Sequence, residues 1–516
     1  MKSIGFFCLA FIVAASAHAA LIVIDSSAPE GGDGSIERPY RTVAAALAAS
    51  HESDVLYLTP ESKPYAEPIA LKTGQKLVGS PSDTLLRSRG LDFSATTENA
   101  TVQGGITLAT SNEIAGLTVI ADQTNGVSGS GNIGKLLIRD VHFKTSKGMF
   151  GLRLSDYTGD AAVNGGGLEA TQDGGGIEVL KGNGNLFFDQ FPMTGIFSTA
   201  VRVTDHVFGP ILFREGCEIR VDDSREDAIF ADNVGSRAPL RFNAGFSIHS
   251  SRGRGIAASH VGILVVAGNA TISTTNAAAI DLTDSGGDLA LTSVTADGPA
   301  LQRGIRMVRF RGRARIDGGA VRGATADAIQ FEQSSGIDVT GMTIDGSGGI
   351  VASGVSAVTF KSLIVRRAKS VSLTDLTGAV LFDQSTLAAP VVIEQHSKNG
   401  SVTFERCAMN GGTVTASAQT DSRLTFAVHG GTFQGTRIAL NASESAHVCT
   451  DIGGVRFTPA ENAIRIDASG SATVNVAGAR SADASAVRTS IAEANKGATV
   501  SINVPAASLS NAARCD

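Results

Sequence analysis

The sequence has no tryptophan and only four tyrosines in 516 residues. Proteins that bind neutral sugar rings usually present exposed aromatic faces to them. Tyr40, Tyr57 and Tyr65 lie near the N-terminus, so only Tyr157 remains for the rest of the chain. A deep cleft with several subsites for a neutral polysaccharide is therefore not expected. Recognition by charge and backbone polarity is compatible with the composition.

The chain also lacks a strong charge imbalance and a long apolar run. Its formal net charge is -6, which argues against general binding of nucleic acid or of an anionic membrane. Beyond the first residues, no stretch reaches the ~18 consecutive apolar residues that a transmembrane helix needs. The sequence therefore predicts no nucleic-acid partner and no transmembrane segment.

Cysteine is scarce as well, with five in the whole chain. The scattered spacing of Cys217, Cys407, Cys449 and Cys515 does not resemble a zinc site, and we predict no metal ligands. A link between Cys449 and Cys515 could pin the C-terminal end in an oxidising compartment. Cys217 and Cys407 fall in strand-like runs, which predicts that both are buried among apolar side chains.

The first residues have the pattern of an export signal. Lys2 precedes an apolar run from Ile4 to Ala15, and Ala17-His18-Ala19 is the small-x-small site that precedes cleavage. Residues 1–19 are therefore predicted to be a signal peptide. The expected location is secreted, periplasmic or at the cell surface.

What the sequence has in quantity is 60 glycines and one repeated pair, a small residue followed by an aliphatic one. We call the aliphatic member the anchor, and it recurs about every 24 residues. With about three short strand-like runs per repeat and no helix-length segment between them, this period indicates a solenoid. The pairs are Gly126-Val127, Gly151-Leu152, Gly176-Ile177, Gly195-Ile196, Ala228-Ile229, Gly255-Ile256, Ala279-Ile280, Gly304-Ile305, Ala328-Ile329, Gly349-Ile350, Ser370-Val371, Pro390-Val391, Thr413-Val414, Arg437-Ile438, Ala463-Ile464 and Ala486-Val487.

The segment before the repeats contains a loop, Asp33-Gly34-Ser35, followed by Pro39-Tyr40-Arg41-Thr42. A short alanine-rich helix is predicted next, from Val43 to Ala49 with Thr42 as its N-cap, then a strand from Val55 to Leu58. This order resembles the entry of the pectin-lyase-like superfamily. The resemblance implies an all-β fold, a single-stranded right-handed parallel β-helix (a solenoid) with an N-terminal capping helix. No specific enzyme family is matched.

The predicted organisation has four parts. After the signal peptide come an N-terminal cap with the first coils over residues 20–90, the right-handed β-helix over 91–480, and a last coil or C-terminal cap over 481–516. Asp483 is a plausible N-cap for a helix in the last part, although Val487 also fits the anchor series. The widest anchor gap, 33 residues from Ile196 to Ile229, predicts an inserted loop within Ser198–Glu226 that projects from the rod.

Charged residues gather in the turns before two successive anchors. Asp227 and Arg254 each lie two places before an anchor, and Arg225 and Arg252 lie four places before one. Adjacent coils are ~4.8 Å apart, so equivalent positions should come together. If the protein is an enzyme, these four residues are the predicted catalytic groups, because a lyase of uronic-acid chains needs cationic groups and a base.

Asp222 and Asp223 lie close by in sequence and are predicted to bind ligand, with calcium as a possible cofactor only for a lyase. The alternative for the whole cluster is a set of solvated ion pairs between coils. Such pairs contribute little to stability or to recognition.

A second charged feature alternates with apolar residues. If the run stays extended, Val308, Phe310, Ala314 and Ile316 point inward and four arginines point outward. Guanidinium groups suit the carboxylate, sulfate or phosphate groups of a glycan, and the alternative is an ordinary charged surface. The predicted ligand-binding arginines are Arg309, Arg311, Arg313 and Arg315.

Two functional hypotheses remain. The first is an exported β-helix that presents a long face to extracellular glycans or surface partners in a structural, adhesive or binding role. The second is a polysaccharide lyase or related carbohydrate-active enzyme on an acidic polysaccharide. The chain lacks the paired aspartates and Gly-His-Gly of polygalacturonase-like hydrolases, the Asp-Pro-His-Asp of mannuronan epimerases and the Trp-x-Asp-His of pectate lyases. No catalytic residue is therefore carried over from the superfamily, and the fold alone does not choose between the hypotheses.

Overall fold

Short strands separated by tight corners make up most of the chain in the computed structural model. The structure describes residues 19–515 except 62, 81–83, 89–97, 347, 460, 462, 496–497 and 513–514. The predicted signal peptide lies outside the described residues apart from Ala19. Within these ranges the α-helices are α1 (Val43–Ala49), α2 (Thr84–Ser88) and α3 (Ala484–Ala494), and a 3₁₀ turn spans Ala506–Ser508.

The strands are numbered in chain order. Strands β1 to β12 are Leu21–Ile24, Val55–Leu58, Ile69–Ala70, Lys76–Val78, Ala100–Val102, Ile106–Thr107, Glu113–Ala115, Leu117–Ala121, Val127–Thr145, Phe150–Asn183, Leu186–Asp189 and Met193–Phe197. Strands β13 to β24 are Val201–Thr204, Ile211–Phe213, Ile219–Ser224, Ile229–Val234, Leu240–Phe242, Gly245–Ser250, Ile256–Val261, Leu264–Val266, Asn269–Thr275, Ile280–Thr283, Gly286–Leu291 and Ser293–Asp297.

Strands β25 to β36 are Ile305–Val308, Arg311–Ile316, Gly319–Arg322, Asp327–Glu332, Ser335–Thr340, Met342–Asp345, Gly349–Ser353, Ser356–Lys361, Ile364–Arg366, Val371–Thr374, Ala379–Asp383 and Thr386–Leu387. Strands β37 to β47 are Val391–Gln395, Asn399–Glu405, Ala408–Ala418, Arg423–His429, Thr432–Ala442, His447–Gly453, Arg456–Thr458, Ile464–Ala468, Thr473–Ala477, Val500–Asn503 and Leu509–Ala512.

Through most of the rod, each strand pairs in parallel with the strand three places further along the chain. Strand β13 pairs with β16, and β16 pairs with β19, so that Val201, Ile229 and Ile256 stand in one column. Three strands therefore make one coil, as the sequence predicts, and about 17 coils stack into a parallel β-solenoid. The right hand of the coil stays a prediction.

The core is a set of columns of like residues running along the rod. The anchors Ile280, Ile305 and Ile329 are aligned in neighbouring coils and are fully buried. Two other columns contain stacked aromatic rings: the ring centroids of Phe188 and Phe213 are 4.6 Å apart in one, and those of Phe360 and Phe382 are 4.8 Å apart in the other. These distances match the ~4.8 Å spacing of hydrogen-bonded strands, so stacking follows directly from coil geometry.

The predicted inserted loop at Ser198–Glu226 is wrong. Val201 pairs with Ile177 on one side and Ile229 on the other, so Val201 and not Ile196 is the anchor of this coil. Ile196 points outward and is 41% exposed. The misleading pair, Gly195-Ile196, sits at an irregularity in the strand pairing, where the glycine has a φ of +125°. The segment is an ordinary coil containing β13, β14 and β15.

The last anchor is also different from the predicted one. Val487 is buried in helix α3, and the residue aligned with the anchor Ile464 is Val500. Asp483 is the N-cap of α3, as predicted, and accepts hydrogen bonds from the amides of Ser485 and Ala486. The apparent fit of Val487 to the series was a coincidence of spacing.

At the other end, helix α1 occupies the predicted residues. The Thr42 side chain accepts a hydrogen bond from the Ala45 amide, and Val43 and Ala46 are buried. Cys449 and Cys515 form a disulfide, which the sequence had suggested only as one possible link. Cys217 and Cys407 are free and buried, also as predicted.

Candidate functional site

The turns that lead into β16 and β19 carry the predicted catalytic residues. The register of the coils places one turn directly beside the other: the Ala228 amide donates to the Arg254 carbonyl at 2.9 Å. The Arg254 amide in turn donates to Asp227 Oδ1 at 3.2 Å. The predicted neighbourhood of Asp227 and Arg254 is therefore observed, and backbone contacts between coils hold it in place.

Arg254 is fixed by two carboxylates at once. Its Nε and Nη2 atoms donate to the two oxygens of Asp227, both at 2.8 Å, and Nη1 donates to Asp281 at 2.6 Å. Asp281 also accepts from Arg306 Nη1 at 2.9 Å. The hydrogen bonds from Arg254 to Asp227 raise the pKa of the Arg254 guanidinium, so the group stays charged. A ladder of alternating charges thus crosses four coils.

Arg252 is held differently, by acids from two other coils. Its Nη2 lies 2.8 Å from Asp173 Oδ1 and 3.6 Å from Asp223 Oδ2. Burial acts to raise the pKa of Asp223, but hydrogen bonds from Ser251 and the Ser224 amide outweigh it and hold the pKa below its usual value. Asp223 is therefore a fixed carboxylate that positions the turn containing Arg252.

Asp222 lies apart from this arrangement. It is exposed on β15 and pairs with Arg220 of the same strand, with Nε and Oδ1 2.9 Å apart. The structure therefore does not bring Asp222 together with the four predicted catalytic residues.

All four of those residues line one surface cavity of about 750 Å³. A second cavity of about 290 Å³ adjoins it and shares Arg254 and Ala277 with it. We call the two together the arginine groove. Its arginines are Arg202, Arg225, Arg252, Arg254, Arg303 and Arg306.

Arg202 is the main site residue that the sequence did not single out. It forms ion pairs with Glu178 and Glu226, and its guanidinium lies 5.9 Å from the centre of the Phe230 ring. Burial raises the pKa of Glu178. Its Oε2 lies 2.7 Å from Nε of Arg153 in the preceding coil. The missed signal was the alternation Val201-Arg202-Val203, which places Arg202 outward directly after an anchor.

Within the described part of the chain, several polar groups of the groove lack a hydrogen-bond partner, the buried Arg303 Nε among them. Arg225 makes no salt bridge and no side-chain hydrogen bond there, although it is exposed in the cavity wall. Arg202 Nε and Thr199 Oγ1 are both buried and have no hydrogen-bond partner. Buried polar groups normally find partners, so these atoms mark a surface that is incompletely satisfied by the protein itself.

The predicted stripe of four arginines is divided by a corner. Val308, Phe310, Ala314 and Ile316 are buried, as expected. Arg309, however, has a φ of +52° and sits in the turn between β25 and β26, so the run is not one extended strand.

The four arginines differ in their contacts. Arg309 binds both oxygens of Asp284, and Arg315 Nε lies 2.8 Å from Asp317. Among the described residues, Arg311 and Arg313 form no salt bridge. Arg309 and Arg311 line a cavity of about 310 Å³.

No family model, no curated protein and no solved structure matches this chain. Across the described ranges, no helix is long and apolar enough to cross a membrane. In the same part of the chain, no three His, Cys, Asp or Glu side chains group closely enough to hold a metal ion. A calcium ion in a lyase stays untested.

Proposed function

We propose that this chain is an exported β-helix protein that binds acidic polysaccharides along the arginine groove, in a binding, adhesive or structural role at the cell surface. The observation that carries the proposal is the groove itself. Six arginines line it against three acids, Glu226, Asp227 and Asp281. The lining is therefore rich in guanidinium groups on a chain whose net charge is -6.

The direction of the groove supports a polymeric ligand. Its arginines come from successive coils, which repeat every ~4.8 Å along the rod. A linear chain lying parallel to the rod would therefore pass arginines from several coils. Carboxylates of such a chain suit planar guanidinium donors, which bind them through paired hydrogen bonds.

The ion pairs within the groove support binding more than catalysis. Arg254 is committed to Asp227 and Asp281, and Arg252 to Asp173 and Asp223. Both oxygens of Asp227 already accept hydrogen bonds from Arg254, so the carboxylate is held within the wall of the groove. Among the described residues, Arg225 is the groove arginine without an ion pair or a side-chain hydrogen bond, so it can receive a ligand, while the others fix the shape of the wall.

The test is a titration of the full chain with polygalacturonate, with dextran as the neutral polymer. Arg225→Ala should weaken polygalacturonate binding by about fivefold, equivalent to ~1 kcal/mol for one exposed ion pair, and should leave thermal unfolding unchanged. Arg423→Ala is the matched control, since Arg423 is also exposed and lies outside both the groove and the predicted arginine stripe. Equal affinities of the two variants, or equal binding of dextran, would contradict the proposal.

The same preparation decides the lyase hypothesis. Incubation with polygalacturonate and other anionic polysaccharides is followed by ultraviolet absorbance of unsaturated ends and by reducing-end assay. We expect binding without turnover. Turnover that disappears in Arg252→Ala or Arg254→Ala, while folding is retained, would replace the binding role by catalysis.

A further inference from the structure

A separate cavity of about 650 Å³ lies near the C-terminal end of the rod. It stands over strands β41, β44 and β46, which carry the last anchors of the series. It shares no lining residue with the arginine groove. We call it the C-terminal cavity, and its lining residues are Thr413, Arg437, Ile438, Ala439, Ile464, Arg465, Asp467, Ser501 and Asn503.

Arg437 contributes to this cavity a guanidinium group that has no ion pair with the described residues. It lies immediately before the anchor Ile438 and is exposed. Counting only the described residues, its guanidinium makes no salt bridge and no hydrogen bond. Its planar donors are therefore available to a carboxylate.

Asp467 supplies an unsatisfied acceptor to the same lining. Its Oδ2 accepts a hydrogen bond from Arg465 Nε at 2.6 Å. Its Oδ1 is buried and has no hydrogen-bond partner within the described part of the chain. A buried carboxylate oxygen without a donor costs free energy, so a turn of the partly exposed Asp467 side chain that lets a ligand O–H group reach Oδ1 would be favourable. A fully deprotonated anion such as sulfate brings no such proton.

The remaining walls offer short polar groups. Thr413 and Ser501 contribute hydroxyl groups, and Asn503 contributes an amide that can both donate and accept. Two arginines and one aspartate give the lining a surplus of one positive charge. The chemistry therefore fits a ligand with one negative charge and several hydroxyl groups.

We propose that the C-terminal cavity binds a hexuronate residue, with Arg437 receiving the sugar carboxylate and Asp467 Oδ1 accepting a hydrogen bond from a ring hydroxyl. The ligand class is the one proposed for the arginine groove, but the residues are different. A result that contradicts one site therefore does not contradict the other.

The experiment measures binding of D-galacturonate to the full chain by saturation-transfer NMR, with D-galactose as the neutral match and inorganic sulfate as a competitor. Arg437→Ala should weaken galacturonate binding by about fivefold to tenfold, because a charge-assisted hydrogen-bonded contact is lost. It should change galactose binding little. Arg423→Ala is the matched control, since Arg423 is exposed on β40 at the same end of the rod and does not line the cavity.

Asp467→Ala provides the second measurement. It should weaken the binding of both sugars, because galactose also brings ring hydroxyls. Equal galacturonate affinities of Arg437→Ala and Arg423→Ala would overturn the inference. Displacement of galacturonate by sulfate at equal concentration would also overturn it, since that result describes a simple anion site. Loss of galacturonate binding in Arg225→Ala alone would assign the sugar to the arginine groove, overturning this inference and leaving the proposed function intact.

Discussion

His206 is a fully buried ionisable residue at the corner that follows β13. Its ring stacks on Tyr157, with centroids 6.2 Å apart, and Nε2 lies 2.8 Å from the Gly209 carbonyl oxygen. Over the described residues, Nδ1 has no hydrogen-bond partner. Burial lowers the pKa of His206 below its ordinary value of 6.5, because the charged imidazolium loses its hydration.

This burial predicts a pH-dependent stability. The unfolded chain binds the proton at a higher pH than the folded chain, so the contribution of neutral His206 is present above pH ~6.5 and is lost as pH falls through the folded-state pKa. We expect the urea midpoint to fall from pH 8 to pH 5, and to fall less in His206→Gln. His142 is exposed, so His142→Gln should keep the wild-type difference. If the urea midpoint of His206→Gln fell as much between pH 8 and pH 5 as that of the wild type, the assignment would be contradicted.

Single positions of the candidate site were predictable where the anchor was correct. Asp227 and Arg254 lie at equal offsets from Ile229 and Ile256, and those two anchors do pair. Arg202 was not predictable in the same way, because its anchor was assigned to Ile196 in place of Val201. Because this one anchor was misassigned, Arg202 was predicted to lie in an inserted loop, whereas it lies in an ordinary coil of the rod.

At the scale of elements, the corners were the least predictable feature. Asp205 and Asp284 have φ near +50° at the corner that follows the anchor strand, and Asn233 has the same φ near the end of β16. Arg309 occupies this corner one coil beyond Asp284. Inward and outward residues alternate across such a corner just as they do along a strand. Alternation alone therefore does not distinguish the turn at Arg309 from a continuous strand, whereas burial at Phe310 was correctly predicted.

Helix α3 gives an element-scale prediction. Asp483 accepts the Ser485 and Ala486 amides, two of the donors that a helix start leaves unpaired. Asp483→Ala should destabilise the helix by ~1 kcal/mol and speed hydrogen exchange at these amides. Asp483→Ser should behave like the wild type, because serine is also a good N-cap. Unchanged exchange in Asp483→Ala would show that packing of Val487 and Ile491 alone holds the helix.

At the scale of the whole molecule, the period of the sequence was the feature that predicted the fold. One coil cannot bury its own apolar side, so a 24-residue repetition of short strands is stable only when coils stack. That argument predicted parallel columns and a rod of similar coils, both of which are observed. It did not predict which surface binds a ligand, because outward positions are free to vary without affecting the stack.

The disulfide gives a prediction at the same scale. Cys449 and Cys515 enclose 66 residues of sequence separation, and closing a loop of that length is worth about 4 kcal/mol in the chain-entropy model. In a solenoid each coil contacts only its neighbours, so losing this constraint should loosen the end and not the middle. Reduction, or the double variant Cys449→Ser with Cys515→Ser, should lower hydrogen-exchange protection in β45 and β47. Strands β22 to β30 should keep theirs. An equal loss of protection along the rod would mean that the coils unfold as one cooperative unit, against the nearest-neighbour account.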